Sequence, residues 1–329
     1  MTNSFSALSW ASILPPKTQT AEAMHDDVYL SLALPLLAGP LAHLIATRVG
    51  PRQATILLTV AAVALSVTSC AALGIVVAAG IAGPTEGGST LATLATRAPG
   101  VVGAAALGAA LLATARFILM RCRALFEAFR HARSLPSTRA VIVTSPTADA
   151  YTVPGAPGRI VVSTGMVAAL DEPSLRALVA HEQAHLNGSH YVYATLARLA
   201  ATANPFLRPL ATAVEYSIER WADEDAATAT GDRLAVARAI SSAAVAARHG
   251  HAQAEHGIML GALGSGSSTD LSGAGPIPRR VAALLAPARP TSTTVLGLGA
   301  WVIAASLTFS LEAVSDLADA FPALWTALT

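Results

Sequence analysis

The chain has 329 residues, of which 53% are hydrophobic and only 12% are charged. This composition is too apolar for two ordinary soluble domains, so it predicts that much of the chain lies in a lipid bilayer. The formal net charge is +1 and the arginines form no dense basic block, so we expect no nucleic-acid partner. The two cysteines lie in or beside apolar stretches, a placement that indicates neither a disulfide framework nor a thiolate metal site.

Four apolar stretches are each long enough to cross the hydrocarbon core as a helix, which takes about 20 residues. They are residues 28–47, 54–81 and 101–120, which together make a three-helix region at 28–120, and residues 295–311. The first stretch contains two prolines and is therefore expected to be kinked. A polar segment, 1–27, precedes the spans and lacks the pattern of a cleaved secretory signal, so we expect it to be retained. A short tail, 312–329, follows the last span.

The arginines predict the orientation of the spans, because short loops rich in Lys and Arg stay in the cytoplasm. Five of them follow the third span: Arg121, Arg123, Arg130, Arg133 and Arg139. The link 82–100 and the tail 312–329 carry few or no basic residues, so we expect both outside the cytoplasm. Residues 121–290 are therefore predicted to form a cytoplasmic domain inserted between the third and fourth spans of a multi-pass protein of the cell membrane.

The first part of this insert carries helix and strand signals in turn. Residues 121–134 are expected to continue the third span as a helix beyond the membrane. Two short β-branched runs, 140–144 and 159–163, are separated by a loop at 151–158, a pattern that predicts a small sheet or hairpin. Near the end of the insert, a stretch rich in Gly and Ser, 250–275, predicts a mobile loop.

Two helices are predicted in the middle of the insert. Acidic residues and a proline at 171–174 indicate a helix start that leaves His181 well inside the helix. The pair Asn204-Pro205 begins a second helical stretch, and Gly231 suits its C-cap.

The first of these helices contains the motif His181-Glu182-Gln183-Ala184-His185. Residues four apart lie one above the other on a helix face, so the two imidazoles are placed as two ligands of one tetrahedral zinc ion. Glu182 is rotated by about 100° from His181, which takes its carboxylate out of the ligand set but within reach of a water molecule beside the metal. We predict Glu182 as a general base. The alternative is the polar face of an ordinary amphipathic helix.

A catalytic zinc site needs a third protein ligand and a fourth position open to water. The extended three-histidine signature would place its last histidine where this chain has Tyr191, so that class is disfavoured. His190 stands next to it, but a spacing of five residues from His185 turns it off the ligand face. We predict Glu219, on the second helix, as the third ligand and Asp223 as a partner that fixes the tautomer of a ligating histidine. The alternative is a solvated acidic face.

These features together resemble the BlaR/MecR-type membrane metallopeptidases, and the site is similar to that of the HtpX and CAAX prenyl-protease family. The resemblance covers nearly the full chain: three apolar spans, a basic exit, HEQAH, Asn-Pro, ERWAD and a fourth span. It implies a mainly α membrane protein with an inserted α+β zincin-like domain of the gluzincin type. It also implies one Zn²⁺ per chain on His181, His185 and Glu219, with Glu182 catalytic and Asp223 in support.

The resemblance implies a zinc endopeptidase that cleaves a protein or peptide at the cytoplasmic face, with regulatory proteolysis of a repressor as the first expected role. Quality control of membrane proteins, as in HtpX-like proteases, is one alternative. A membrane signalling scaffold with an inactive zinc domain is the non-enzymatic alternative. We expect the strand at 159–164 to pair with an extended substrate. Because only a short tail follows the fourth span, direct β-lactam sensing is not expected. The oligomeric state stays open.

Overall fold

A computed structural model of the chain describes residues 28–82, 90–155, 158–254, 275–286 and 291–306, together with 308, 312 and 315. The predicted N-terminal segment, most of the predicted loop at 250–275 and most of the predicted tail lie outside the described residues. Helices make up most of the described chain, with one small sheet.

Three described helical segments are long and apolar enough to cross a membrane: Val28–Arg48, Pro51–Ile81 and Arg97–Ser134. The first ends in helix α1, Ala38–Arg48, and is interrupted before it by a 3₁₀ turn, Leu34–Leu37, which contains Pro35. The regular helix is interrupted where a kink was predicted, since proline removes a backbone donor and clashes with the preceding turn.

The other two spans belong to long helices. Helix α2 is Pro51–Ala82 and helix α3 is Thr90–Ser134. The predicted continuation of the third span beyond its apolar stretch is confirmed, because α3 runs without a break to Ser134. The fourth predicted span is seen as a shorter apolar helix, Thr293–Ser306, and residue 307 and most of those after it lie outside the described part of the chain. The count of four spans therefore stays a prediction.

A three-stranded sheet follows α3. Its strands are β1, Ala140–Val143, β2, Ala150–Val153, and β3, Arg159–Ser163. The order is β1-β3-β2, with β1 parallel and β2 antiparallel to β3. The predicted sheet is confirmed, but a hairpin of the two predicted runs is wrong because they pair in parallel, and part of the segment taken as a loop forms β2. Strand β3 is buried along its whole length, as expected for a central strand.

Among the described residues, six further α-helices follow the sheet before Thr293–Ser306. They are α4, Thr164–Ala169; α5, Glu172–Asn187; α6, His190–Ala203; α7, Arg208–Thr230; α8, Arg233–Ala254; and α9, Pro276–Leu285. Both predicted helix signals are confirmed. The Asp171 carboxylate accepts a hydrogen bond from the backbone N–H of Ser174 at the start of α5. Gly231 ends α7 with a φ of 67°, in the left-handed region that a residue with a Cβ enters only at a cost.

Helices α6 and α7 form a hairpin that packs against α1 and α2. One hydrophobic core joins the two pairs of helices, and its buried members include Leu58, Leu65, Leu207 and Val214. Residues on both sides of the predicted boundary between spans and insert therefore share a core.

Asn204, at the tip of the hairpin, links it to the middle of α2. Its side-chain oxygen accepts a hydrogen bond from the backbone N–H of Phe206, and its side-chain nitrogen donates to the Ser69 hydroxyl at 3.0 Å. Ser69 lies 18 residues beyond Pro51, which corresponds to about 27 Å along the helix axis. The helix that carries Glu219 and Asp223 therefore begins deep among the apolar helices.

Removing the Asn204 side chain should loosen this hairpin. Asn204→Ala loses both the cap and the bond to α2, so we expect the free energy of unfolding to fall by about 1–2 kcal/mol. Ser69→Ala keeps the cap and should cost about 0.6 kcal/mol. Unfolding of the purified protein in detergent, followed by circular dichroism, measures both variants. Equal losses in the two variants would show that the cap contributes nothing.

Candidate metal centre

Helix α5 brings two histidine rings together on one face. The N-cap and the proline fix where this helix begins. His181 and His185, four residues apart in the sequence, then lie one turn apart in its last turns. Their Nε2 atoms are 3.1 Å apart, and the ring planes meet at 74°. Two imidazole nitrogens that point at one region of space are the arrangement that a shared metal ion requires.

Helix α7 supplies a carboxylate to the same region. One oxygen of Glu219 lies 3.5 Å from Nε2 of His181, and the other lies 3.6 Å from Nε2 of His185. One donor atom from each of the three residues falls within 4.8 Å of the others, so the group could hold a metal ion. Two imidazoles and one carboxylate fit zinc, which binds three protein ligands at a catalytic site and leaves the fourth position open.

Asp223 lies one turn beyond Glu219 on α7 and is buried behind the ring of His181. One of its oxygens is 3.0 Å from Nδ1 of His181, on the far side of the ring from the cluster. A carboxylate in this position holds the ring and favours a free Nε2 lone pair facing the metal region. The structure thus brings together the four residues that the sequence suggests for metal binding and its support.

Arg280 contacts both carboxylates of the cluster, and no sequence pattern predicted this. It projects from α9, with Nε 2.8 Å and one terminal nitrogen 2.6 Å from the two oxygens of Asp223. Its other terminal nitrogen is 2.9 Å from Glu219. In the sequence it lies 57 residues beyond Asp223, across the Gly/Ser-rich stretch. No local spacing connects Arg280 to the HEQAH motif. In the sequence, the arginines served only to predict the orientation of the spans.

Burial and charge act in opposite directions on the pKa values of the cluster. Burial would raise the pKa of the Glu219 and Asp223 carboxyls, but contacts with His181 and Arg280 hold both pKa values below their usual range. Burial opposes protonation of His181, yet hydrogen bonds with the two carboxylates raise its pKa to about 10. In the absence of metal a proton on His181 balances the carboxylates. A bound cation would displace it, because ligating imidazoles are neutral.

Glu182 lies next to the ligand face, at the wall of a cavity of about 390 Å³. His181 and Arg280 also line this cavity, as do Asp149 and Ala150 where β2 begins. Burial raises the pKa of the Glu182 carboxyl to about 7, in the range where a group can both accept and return a proton near neutral pH. The cavity thus joins a titratable carboxyl to the metal cluster and to the start of a strand.

His190 lies behind the cluster rather than on its ligand face. Helix α5 ends at Asn187 and Ser189 adopts a left-handed φ of 50°, so the chain turns before α6 begins. This turn places Nδ1 of His190 3.0 Å from Nδ1 of His185. The group of residues that could hold a metal ion does not include His190. The sequence prediction for His190 took the helix as continuous, so the contact with His185 was not expected.

One family profile matches part of the chain. The sequence profile of Peptidase family M48 matches residues 120–199, which span the end of α3, the sheet and the HEQAH helix. The match supports the M48 metallopeptidase family. It covers His181, Glu182 and His185 and ends before Glu219. No curated protein and no solved structure matches the chain.

The M48 match bears on enzyme class. M48 peptidases are zinc-dependent hydrolases, and the cluster of two histidines and a glutamate has the donors such an enzyme needs. Three helices of the described chain are long and apolar enough to cross a membrane, which is compatible with a membrane protein.

Proposed function

We propose that this chain is a membrane-embedded zinc endopeptidase. His181, His185 and Glu219 hold one Zn²⁺, and Glu182 is the general base. The observation that carries the proposal is the convergence of the three donor groups within 4.8 Å, beside a cavity whose wall includes Glu182. The donors come from α5 and α7, and α7 shares a hydrophobic core with the apolar helices.

Each residue around the cluster has a separate task. Zinc, when bound, lowers the pKa of water towards about 7 and polarises a carbonyl group. The carboxylate of Glu182 takes a proton from the attacking water and passes it to the leaving amine. Asp223 holds the ring of His181 from behind, at 3.0 Å. Arg280, on α9, bonds both Asp223 and Glu219 and so holds α9 against α7 beside the cluster.

An extended peptide is proposed to bind beside β2. The expectation that the strand at 159–164 offers its edge is wrong, because β3 is the central strand and pairs with both β1 and β2. Strand β2 is an edge strand, and its first residue, Ala150, lines the cavity together with Glu182. A peptide that adds to this edge gains backbone hydrogen bonds and passes the general base.

The metal centre is proposed to face the cytoplasm at the membrane surface. Arg52 near the start of α2 packs over the ring of Trp221, two residues beyond Glu219, at 5.4 Å. The end of the span that the arginines predict to be cytoplasmic therefore lies beside the cluster. Substrates of this site are cytoplasmic segments close to the bilayer, such as a membrane-associated repressor. Membrane proteins under quality control would present similar segments.

The orientation can be tested with a cysteine of the chain. Cys122 is exposed at the predicted cytoplasmic end of the third span. In a Cys70→Ala background, a membrane-impermeant maleimide should label Cys122 only after the cells are lysed. A Thr85→Cys, Cys122→Ser variant, with its thiol in the link predicted to be outside, should be labelled in intact cells. The reverse pattern would place the metal centre on the other side of the membrane.

Peptidase activity is tested on the purified full-length protein in detergent. It should contain one zinc per chain and cleave an unfolded protein substrate. A chelator should remove the activity and added Zn²⁺ should restore it. A preparation that holds one zinc per chain but cleaves no peptide or unfolded protein would favour the signalling scaffold instead.

A further inference from the structure

His190 is a deeply buried polar residue to which metal binding and proton transfer assign no task. Only 2% of its surface is exposed. Its ring meets that of His185 edge to face, with centroids 4.9 Å apart and planes at 87°. On its other side it packs against the ring of Trp221 at 4.5 Å. Its Nε2 has no hydrogen-bond partner within the part of the chain that the structure describes.

If His185 binds a metal ion, the donor and the acceptor in its hydrogen bond with His190 are determined. Its Nε2 is the atom directed at His181 and Glu219, so that atom must carry a lone pair. The proton of a neutral His185 is then on Nδ1, which lies 3.0 Å from Nδ1 of His190. Since two protonated nitrogens would repel, His190 accepts this hydrogen bond and carries its own proton on Nε2.

The ring of His190 is enclosed between the rings of His185 and Trp221. A neutral imidazole has one nitrogen that accepts, so His190 can take the part that a carboxylate or backbone carbonyl usually takes behind a ligating histidine.

Gly188 leaves room for this arrangement. A Cβ added at this position would lie 2.3 Å from Nε2 and 2.5 Å from Cδ2 of His190. The φ of Gly188 is −79°, which any residue adopts, so the requirement here is for space and not for backbone freedom. Gly188 is thus explained by the space that the ring of His190 needs. This explanation does not require the three-histidine signature, which would have a histidine in place of Tyr191.

We propose that His190 is a positioning residue: it accepts the Nδ1 proton of His185 and so holds that ring in the tautomer and orientation that bind the metal. Gly188 provides the space for its ring. The two predicted ligands on α5 are then each supported from behind, His181 by Asp223 and His185 by His190. This inference rests on the proposed metal site, but it does not depend on which substrate the enzyme cleaves.

The test measures zinc affinity, not cleavage. The full-length protein and its variants, in detergent, compete for Zn²⁺ with a chromophoric chelator. His190→Phe keeps a ring but has no acceptor, so it should weaken zinc binding by about 10–100-fold. His190→Asn places an amide oxygen close to the position of Nδ1 and should recover most of the affinity. Gly188→Ala should weaken binding in the same way as His190→Phe, and Tyr191→Phe, at a half-exposed neighbour, should change nothing.

A second readout separates positioning from a general packing defect. With ¹⁵N-labelled histidine, the zinc-loaded protein should show a hydrogen-bonded Nδ1–H signal of His185 that persists in His190→Asn and disappears in His190→Phe. Unchanged zinc affinity and an unchanged His185 signal in His190→Phe would overturn the inference. Failure of the proposed function would look different, since zinc would bind as expected but no peptide would be cleaved.

Discussion

Replacing Glu182 by glutamine is expected to abolish measurable peptide cleavage while the protein still binds one zinc per chain. The amide cannot accept the proton of the attacking water, and loss of a general base lowers rates by about 10²–10⁴-fold. The zinc content should be unchanged, because Glu182 lies outside the group formed by His181, His185 and Glu219. Cleavage assays and metal analysis on the same preparation measure both quantities.

The adjacent residue offers a matched control for this substitution. Gln183 lies on the same helix, and its side chain bonds Asn187 away from the cluster. Gln183→Leu should keep cleavage within about twofold of the parent. Undiminished cleavage by a zinc-loaded Glu182→Gln protein would remove Glu182 from the mechanism. The same variant, expressed in its host, should retain bound substrate and so identify it.

Replacing Arg280 by methionine is expected to give the largest loss of stability in the metal-free protein. Arg280 makes contacts of 2.6–2.9 Å with the carboxylates of Asp223 and Glu219, and Asp223 is almost fully buried. Methionine keeps much of the side-chain volume but removes the guanidinium that contacts both carboxylates. Breaking a buried ion pair in this way costs about 3–5 kcal/mol. Unfolding in detergent with a chelator present measures the loss.

Zinc should reduce this loss, because a bound cation neutralises the same carboxylates and stabilises the folded state by mass action. The matched control is Arg279→Met. The guanidinium of Arg279 lies over the ring of Tyr216 at 4.5 Å, outside the metal cluster, and such a cation–π contact is worth about 0.5–1 kcal/mol. If both substitutions cost the same and zinc protects neither, Arg280 does not support the acidic side of the metal centre.

The parts of the fold that follow from local chemistry could be read from the sequence. Asp171 caps α5 and Gly231 ends α7 because these positions depend on backbone groups a few residues away. The apolar spans could be recognised because lipid forces about 20 apolar residues into one helix. Strand β2 was missed because its four residues pair with β3 only after the chain has turned back, which a local pattern does not record.

The candidate site divides in the same way. The spacing of four residues between His181 and His185 determines by itself that their rings share one helix face. For Glu219 and Asp223 the sequence supplied the residue types, and the packing of α7 against α5 decides that they reach the two rings. The sequence offered no local signal for Arg280, which arrives from a distant helix, or for His190, which depends on the turn at Ser189.

The sequence by itself therefore determined the long apolar helices, the two helices of the site and the pair of imidazoles, all of which depend on helix periodicity and on hydrophobicity within about 20 residues. The tertiary structure alone decided which charges surround that pair, where the edge of the sheet lies and how the α6–α7 hairpin is anchored at Ser69. These features depend on contacts between residues far apart in the chain, and such contacts form only when the helices and strands pack against one another.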